Sequence, residues 1–340
     1  MLIAAPSARR SEFMAELRRH PVSGEWVLIC PERGSLGSNK TSGDCVFCPG
    51  SEQLTGPEIY RLGVRDNPNP AAWRLRVIVD SPPLFHVEGD IAKKAVGLCD
   101  CMEAIGAHEV LLDSPAHATE FEDLDEDQIV AILTTLGMRA ADLENDERLR
   151  QIVIFKVRVA GSAEHPRWHI VATPFVPGPI KDELNGAAEY FSYKERCVFC
   201  DYIRQERKTS LRLICEEPGA IALSPYAASF PFETWILPTT HTPDFRTVPA
   251  GDLAGLARVL KKVAGAMTRI PDSLGYIINL HTAPFRKPKP GAWKTIDLDF
   301  HWHLDVRPRL DLLNGLKESG AFHLNPVVPE AAAETLRSLC

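Results

Sequence analysis

The chain has no run of five or more basic residues, and no apolar stretch approaching the roughly 20 residues of a membrane-spanning helix. Its net charge at neutral pH is −7. That balance does not favour a nucleic-acid partner, and nothing in the sequence asks for a membrane partner. The opening M-L-I-A-A-P-S-A-R-R lacks the long apolar region of a signal peptide, so a cytoplasmic location is expected. The nine cysteines are an odd number, which does not suit a closed disulfide framework and suits metal ligation in a reducing compartment.

Against this ordinary background of 45% hydrophobic and 24% charged residues, one word occurs twice. Cys45-Val46-Phe47-Cys48 is repeated as Cys197-Val198-Phe199-Cys200. Each copy is followed by an apolar stretch ending at a histidine, His117 or His241, and then by H-P-R-W-H (165–169) or H-W-H-L-D (301–305). A unit of roughly 150 residues has therefore been duplicated in tandem. We expect an N-terminal extension over 1–13, a first half over 14–180 and a second half over 181–340. Each half is read as an antiparallel sheet carrying one main helix, the two forming one compact α+β body.

Zinc takes four ligands in a tetrahedron, commonly thiolates and imidazoles. Two cysteines two residues apart supply one edge from a single turn, and histidines on distant strands supply the other. The first set is Cys45, Cys48, His117 and His165, and the second is Cys197, Cys200, His241 and His301. Two zinc ions per chain are expected. Both sets are complete without a water, so they read as structural sites and not hydrolytic ones. Cys30, Cys99, Cys101, Cys215 and Cys340 show no comparable spacing and read as ordinary thiols. His20, His86 and His108 carry no motif and read as ordinary histidines.

Secondary structure follows from periodicity. Asp125-Glu126-Asp127 places acidic residues at a helix start, where they oppose the macrodipole, and Ile129, Ile132, Leu133 and Leu136 follow at helical spacing. A helix is expected over about 125–145 and, by the same spacing, over about 250–268. Strands are expected near 24–29, 73–79, 109–112, 152–159 and 168–172. The second half repeats them near 211–215, 220–223, 234–237, 275–281 and 299–307.

The long words R-R-H-P-V-S-G-E-W-V-L-I-C-P-E-R (18–33), E-H-P-R-W-H-I-V-A-T-P (164–174), N-L-H-T-A-P-F (279–285) and H-W-H-L-D-V-R-P-R-L (301–310) carry a resemblance. With both cysteine words, they resemble the galactose-1-phosphate uridylyltransferase family of the histidine-triad superfamily, including its ADP-sugar phosphorylase relatives. The resemblance implies transfer of a nucleoside monophosphate between a sugar 1-phosphate and a second phosphate acceptor, through a nucleotidyl-histidine, in a homodimer. A nucleotide sugar or sugar phosphate is the implied ligand.

The resemblance also locates departures. The nucleophile is the second histidine of H-x-H-x-Q, and that position here holds Arg167, while the glutamine position holds His169. Arginine stays protonated and cannot attack phosphorus, although it can clamp a phosphate. Leu36 stands where a second arginine follows Arg33, and Asp80 replaces a phosphate-contacting asparagine. The expected active site therefore consists of His169 as the remaining nucleophile and Arg33, Asp80, Arg167 and His303 as substrate-facing residues. Lys317 and His323 join them from a C-terminal segment that the resemblance brings to the sugar. Glu183 and His281 match ligand positions of a second metal in some relatives, but read here as surface charge and as a structural or pocket-lining histidine. The competing reading is a binding protein that kept the zinc-braced halves and lost the transfer chemistry.

Overall fold

The computed structural model describes residues 15–31, 45–64, 72–117, 119–162, 164–287, 293–310 and 323–340. Its centre is a ten-stranded antiparallel sheet. The first half contributes β3 (Glu58–Gly63), β4 (Trp73–Val79), β7 (Ala107–Leu112), β8 (Gln151–Val159) and β9 (Arg167–Thr173). The second contributes β10 (Leu213–Glu217), β11 (Ala220–Leu223), β12 (Thr234–Pro238), β13 (Ser273–His281) and β14 (His303–Leu310). The spatial order is β10-β11-β12-β14-β13-β8-β9-β7-β4-β3. Read outward from the central β8–β13 pair, both sides give the same sequence of strands. In each half the last two strands in the chain exchange places, and the histidine expected from sequence to bind metal, His165 or His301, stands two residues before the last strand.

The expected helices are present as α1 (Glu126–Leu143) and α4 (Ala250–Arg269). The side chain of Asp125 accepts from the Gln128 backbone N–H at 2.6 Å, a cap contributing about 1 kcal/mol. Ile129, Ile132, Leu133 and Leu136 of α1 meet Leu256, Val259, Leu260 and Val263 of α4 in one apolar core over the sheet. Trp168, Trp302 and Tyr276 complete that core and are fully buried.

The opposite face is covered differently in the two halves. Over the first half lies a small sheet of β1 (Glu16–Arg19), β2 (Trp26–Ile29), β5 (Lys94–Val96) and β6 (Cys99–Glu103), in the order β2-β1-β6-β5. Its Leu17 and Met102 pack on Val171. Over the second half lie α2 (Gly178–Lys194), α3 (Val198–Thr209) and the short α5 (Ile296–Asp299), joined through Ile180, Leu184, Phe199, Ile203 and Phe300. A last helix, α6 (Pro329–Leu339), packs beside α4 through Ala333 and Leu336.

The second half thus carries helices beyond the single one expected. Helix α2 buries only Ile180, Leu184 and Ala187, too sparse an apolar stripe to announce itself. The strand expected over 299–307 begins at His303, because 296–299 wind into α5. None of the described helices is long and apolar enough to cross a membrane.

Candidate functional site

The two cysteine words reach their histidines through different local structures. Cys45 and Cys48 close a turn through a Cys48 N–H bond to the Cys45 carbonyl at 3.1 Å, whereas Cys197 caps α3 and Cys200 lies in its first turn. In both cases the four donor atoms lie within 4.8 Å of one another. Cys48 Sγ is 3.5 Å from His117 Nδ1 and 3.9 Å from His165 Nδ1. Cys200 Sγ is 3.4 Å from His241 Nδ1 and 3.6 Å from His301 Nδ1. A zinc tetrahedron with ordinary Zn–S and Zn–N bonds has S···N edges of about 3.6 Å.

Outer contacts orient the rings. His165 Nε2 donates to the Ser114 carbonyl at 2.7 Å, His241 Nε2 to Asp297 at 3.1 Å and His301 Nε2 to Pro238 at 3.0 Å. Each leaves an Nδ1 lone pair aimed at the thiols, the tautomer that a metal requires. A hydrogen bond from the Cys197 thiol, the largest cause, pulls Cys200 down to about 3 against its burial. Cys197 moves the other way, because it keeps the proton that the pair shares.

A third cluster joins Glu183 of α2 to His281 and His303. Both Glu183 oxygens face His281 Nδ1, at 2.7 and 3.0 Å, and His303 Nε2 lies 3.9 Å from Oε2. Glu183 is therefore not the bare surface charge expected from sequence. Burial works against the charge on His281, but the Glu183 hydrogen bond and charge prevail and raise its pKa. Burial lowers His303 to about 4, so this imidazole is neutral at pH 7. His303 is buried at the start of β14 and lines none of the cavities described here.

The first-half pocket lies where Arg167 and His169 open β9. Its walls are Lys156 to Val159 of β8, Glu120, and the segment Glu164–Arg167 with His169. Arg167 lies over the Phe47 ring at 5.5 Å and donates to Glu164 at 2.9 Å and to the His165 carbonyl at 3.2 Å. It therefore links the cysteine word to the pocket. Lys156 forms a buried pair with Asp113 at 2.5 Å beneath the same wall.

His169 stacks on Phe155, with centroids 4.9 Å apart and planes at 13°. Its Nδ1 lies 3.1 Å from Nε2 of His108, whose Nδ1 lies 3.2 Å from Asp80 Oδ2. Asp80 is thus turned toward an imidazole, in a carboxylate–imidazole–imidazole row. The backbone N–H of Leu84 reaches the same His108 Nδ1 at 3.2 Å. His108, which carries no sequence motif, is the residue that sequence reasoning missed. Of the other expected substrate residues, His323 is exposed and leans on the Phe230 ring at 6.0 Å, away from this pocket. Arg33, Leu36 and Lys317 lie outside the described residues.

Residues 183–314 match the family described as galactose-1-phosphate uridyl transferase, C-terminal domain. The chain is 29% identical to the ADP-glucose phosphorylase of Arabidopsis thaliana over 95% of its own length and 93% of that protein. It is 28% identical to the galactose-1-phosphate uridylyltransferase of Thermotoga maritima, over 95% of this chain and 98% of that one. A crystal structure of an ADP-glucose phosphorylase from Arabidopsis thaliana with bound ADP-glucose superposes with a TM-score of 0.73 at 26% identity, covering 95% of this chain and 98% of that chain. Long sequence words, a doubled strand order and these near-full-length likenesses agree: the chain resembles the galactose-1-phosphate uridylyltransferase family, and its residues 183–314 match that family's C-terminal domain.

Proposed function

We propose that this chain is a nucleotidyltransferase of the galactose-1-phosphate uridylyltransferase type with an altered active site, acting on a nucleotide sugar and a sugar 1-phosphate. Residues 14–180 and 181–340 are read as two copies of one unit, a reading that the doubled strand order supports. Two zinc ions held by the two Cys–Cys–His–His sets brace the halves, supplying rigidity and no reactive position. The protein acts as a cytoplasmic homodimer.

The observation that carries the reading is the row Asp80–His108–His169 ending in a pocket shared with Arg167. Arg167 offers a fixed charge and several donors to a phosphate, the role that a guanidinium fills well. Nδ1–H of His169 donates a hydrogen bond to Nε2 of His108, whose own Nδ1–H donates toward Asp80, which keeps the Nε2 lone pair of His169 free as the nucleophile. Attack on the α-phosphorus forms an N–P bond and breaks the P–O bond to the sugar 1-phosphate, which leaves with the electron pair. The positive charge on the ring is shared with Asp80 through His108. A second phosphate then attacks the same phosphorus and restores the imidazole.

One observation favours the other reading, a binding protein without transfer chemistry. If the Leu84 N–H holds the His108 Nδ1 lone pair, the row runs in reverse and His169 presents a donor instead of a lone pair. Mass spectrometry after incubation with ADP-glucose or UDP-glucose separates the two. A gain of one nucleoside monophosphate, mapped to His169, is expected. Measurable binding with no gain in mass would establish the binding protein instead.

A further inference from the structure

The largest cavity described here, about 710 Å³, is not the first-half pocket. It opens beside residues 284–287 and 293–297, on the connection between β13 and β14. That connection is the second-half counterpart of the segment carrying Glu164 and His165. The cavity's other wall comes from the opposite end of the first-half strands, at Arg150 and Phe175. Phe175 is six residues beyond His169, about 20 Å along an extended chain. The packed Leu17, Met102 and Val171 cluster lies between them.

The cavity is strongly cationic although the chain has a net charge of −7. Two of its arginines are neutralised, Arg148 by Asp146 and Arg286 by Asp297. Five other cations line it: Lys93, Arg150, Lys181, Lys287 and Lys294. Among the described residues Arg150 donates only to the backbone carbonyls of Glu147 and Leu149 and keeps its full charge, whereas Lys287 donates to the Glu144 carbonyl and is partly offset by the nearby Glu144 and Asp146 carboxylates. Lys93, Lys181 and Lys294 have no carboxylate partner among the described residues.

Aromatic rings stand among these charges. Trp26 and Phe175 lie 6.2 Å apart at 36°, and Trp293 faces the same space. Trp293 takes a φ of +40°, a left-handed backbone that costs a bulky residue on the order of 1–3 kcal/mol. Its indole N–H is held by Asn185 at 3.1 Å. A strained, anchored indole beside uncompensated cations suits a ligand with a planar ring and at least two phosphates.

We infer that this cavity is a second ligand site, for a nucleoside diphosphate, separate from the first-half pocket. The inference does not depend on transfer chemistry at His169. Titration calorimetry with ADP on intact Arg167→Ala protein, which weakens the first-half pocket, reads the cavity directly. We expect saturable ADP binding that weakens with added salt, and pyrophosphate that competes less well because it lacks the ring. A Lys181→Glu/Lys294→Glu pair on the same background changes two exposed residues and should keep the thermal unfolding profile. Its ADP affinity should fall about tenfold or more for each charge. Three results overturn the inference: no ADP binding in the Arg167→Ala protein, undiminished affinity in the charge-reversed variant, or pyrophosphate binding as tightly as ADP.

Discussion

Nε2 of His108 lies 3.1 Å from Nδ1 of His169, so two imidazoles 61 residues apart form one hydrogen-bonded unit. Asp80 extends it at 3.2 Å from the far nitrogen of His108. His108 is a positioning residue for His169 in the proposed chemistry. Replacing His108 with Phe should slow nucleotidyl-adduct formation on the order of ten- to a hundredfold. The pH–rate profile should shift with it, because the ring that shares the proton has been removed. An unchanged rate and profile would leave His108 as packing alone.

Arg167 tests phosphate recognition. Its only carboxylate partner among the described residues is Glu164, whose side chain is 69% exposed, so the ion pair contributes little to stability. Arg167→Ala should therefore unfold within about 1 kcal/mol of the parent protein. Affinity for ADP-glucose at the first-half pocket should fall by about 1–3 kcal/mol. Calorimetry and urea unfolding on the same samples compare the two effects, and an affinity loss no larger than the stability loss would remove Arg167 from the site.

Metal content is the next expectation. Elemental analysis should find two equivalents of zinc per chain, and a chelator should lower the melting temperature. Cys45→Ser and Cys197→Ser should each lose one equivalent and destabilise the protein, since a set that loses a ligand no longer returns its full binding energy to folding. Less than one equivalent in carefully purified protein would defeat the two-zinc reading.

Glu58 offers a pH test away from the pockets. Arg61 and Arg76 face each other across β3 and β4, and Glu58 accepts from both, at 2.8 Å and 2.6 Å. The Arg61 hydrogen bond, with Arg76 adding to it against burial, lowers the Glu58 pKa. A carboxylate depressed in the folded state stabilises fully above its unfolded value of about 4.3 and loses that contribution as pH falls through the folded value. Glu58→Gln should cost on the order of 1–3 kcal/mol at pH 7, because Arg76 is buried. The difference from the parent should shrink below about pH 4. An equal difference at pH 7 and pH 3.5 in urea unfolding would show that the charge is not responsible.

Much of this protein is determined by its local words. Thiolates two residues apart and a repeated order of histidines point to metal-ligand chemistry wherever they occur, and the structure gathers both predicted sets within 4.8 Å. Helices α1 and α4 were legible because long apolar stripes at helical spacing have no other way to be buried. Helix α3 was hidden because it starts inside the second cysteine word, and of the small sheet only β2 was legible, because β1, β5 and β6 are short and partly exposed.

What only the tertiary structure decided is which distant residues meet. His108 pairs across the sheet with Val171, and Val110 with His169. The two histidines are therefore diagonal neighbours on one face, a relationship set by strand register and by no local pattern. The same holds for Glu183 and His281, 98 residues apart, and for the cations gathered from 93, 150, 181, 287 and 294. Ligand identity is a property of side-chain chemistry and survives in the sequence. Proximity is a property of how strands and helices stack, and it exists only once the sheet has formed.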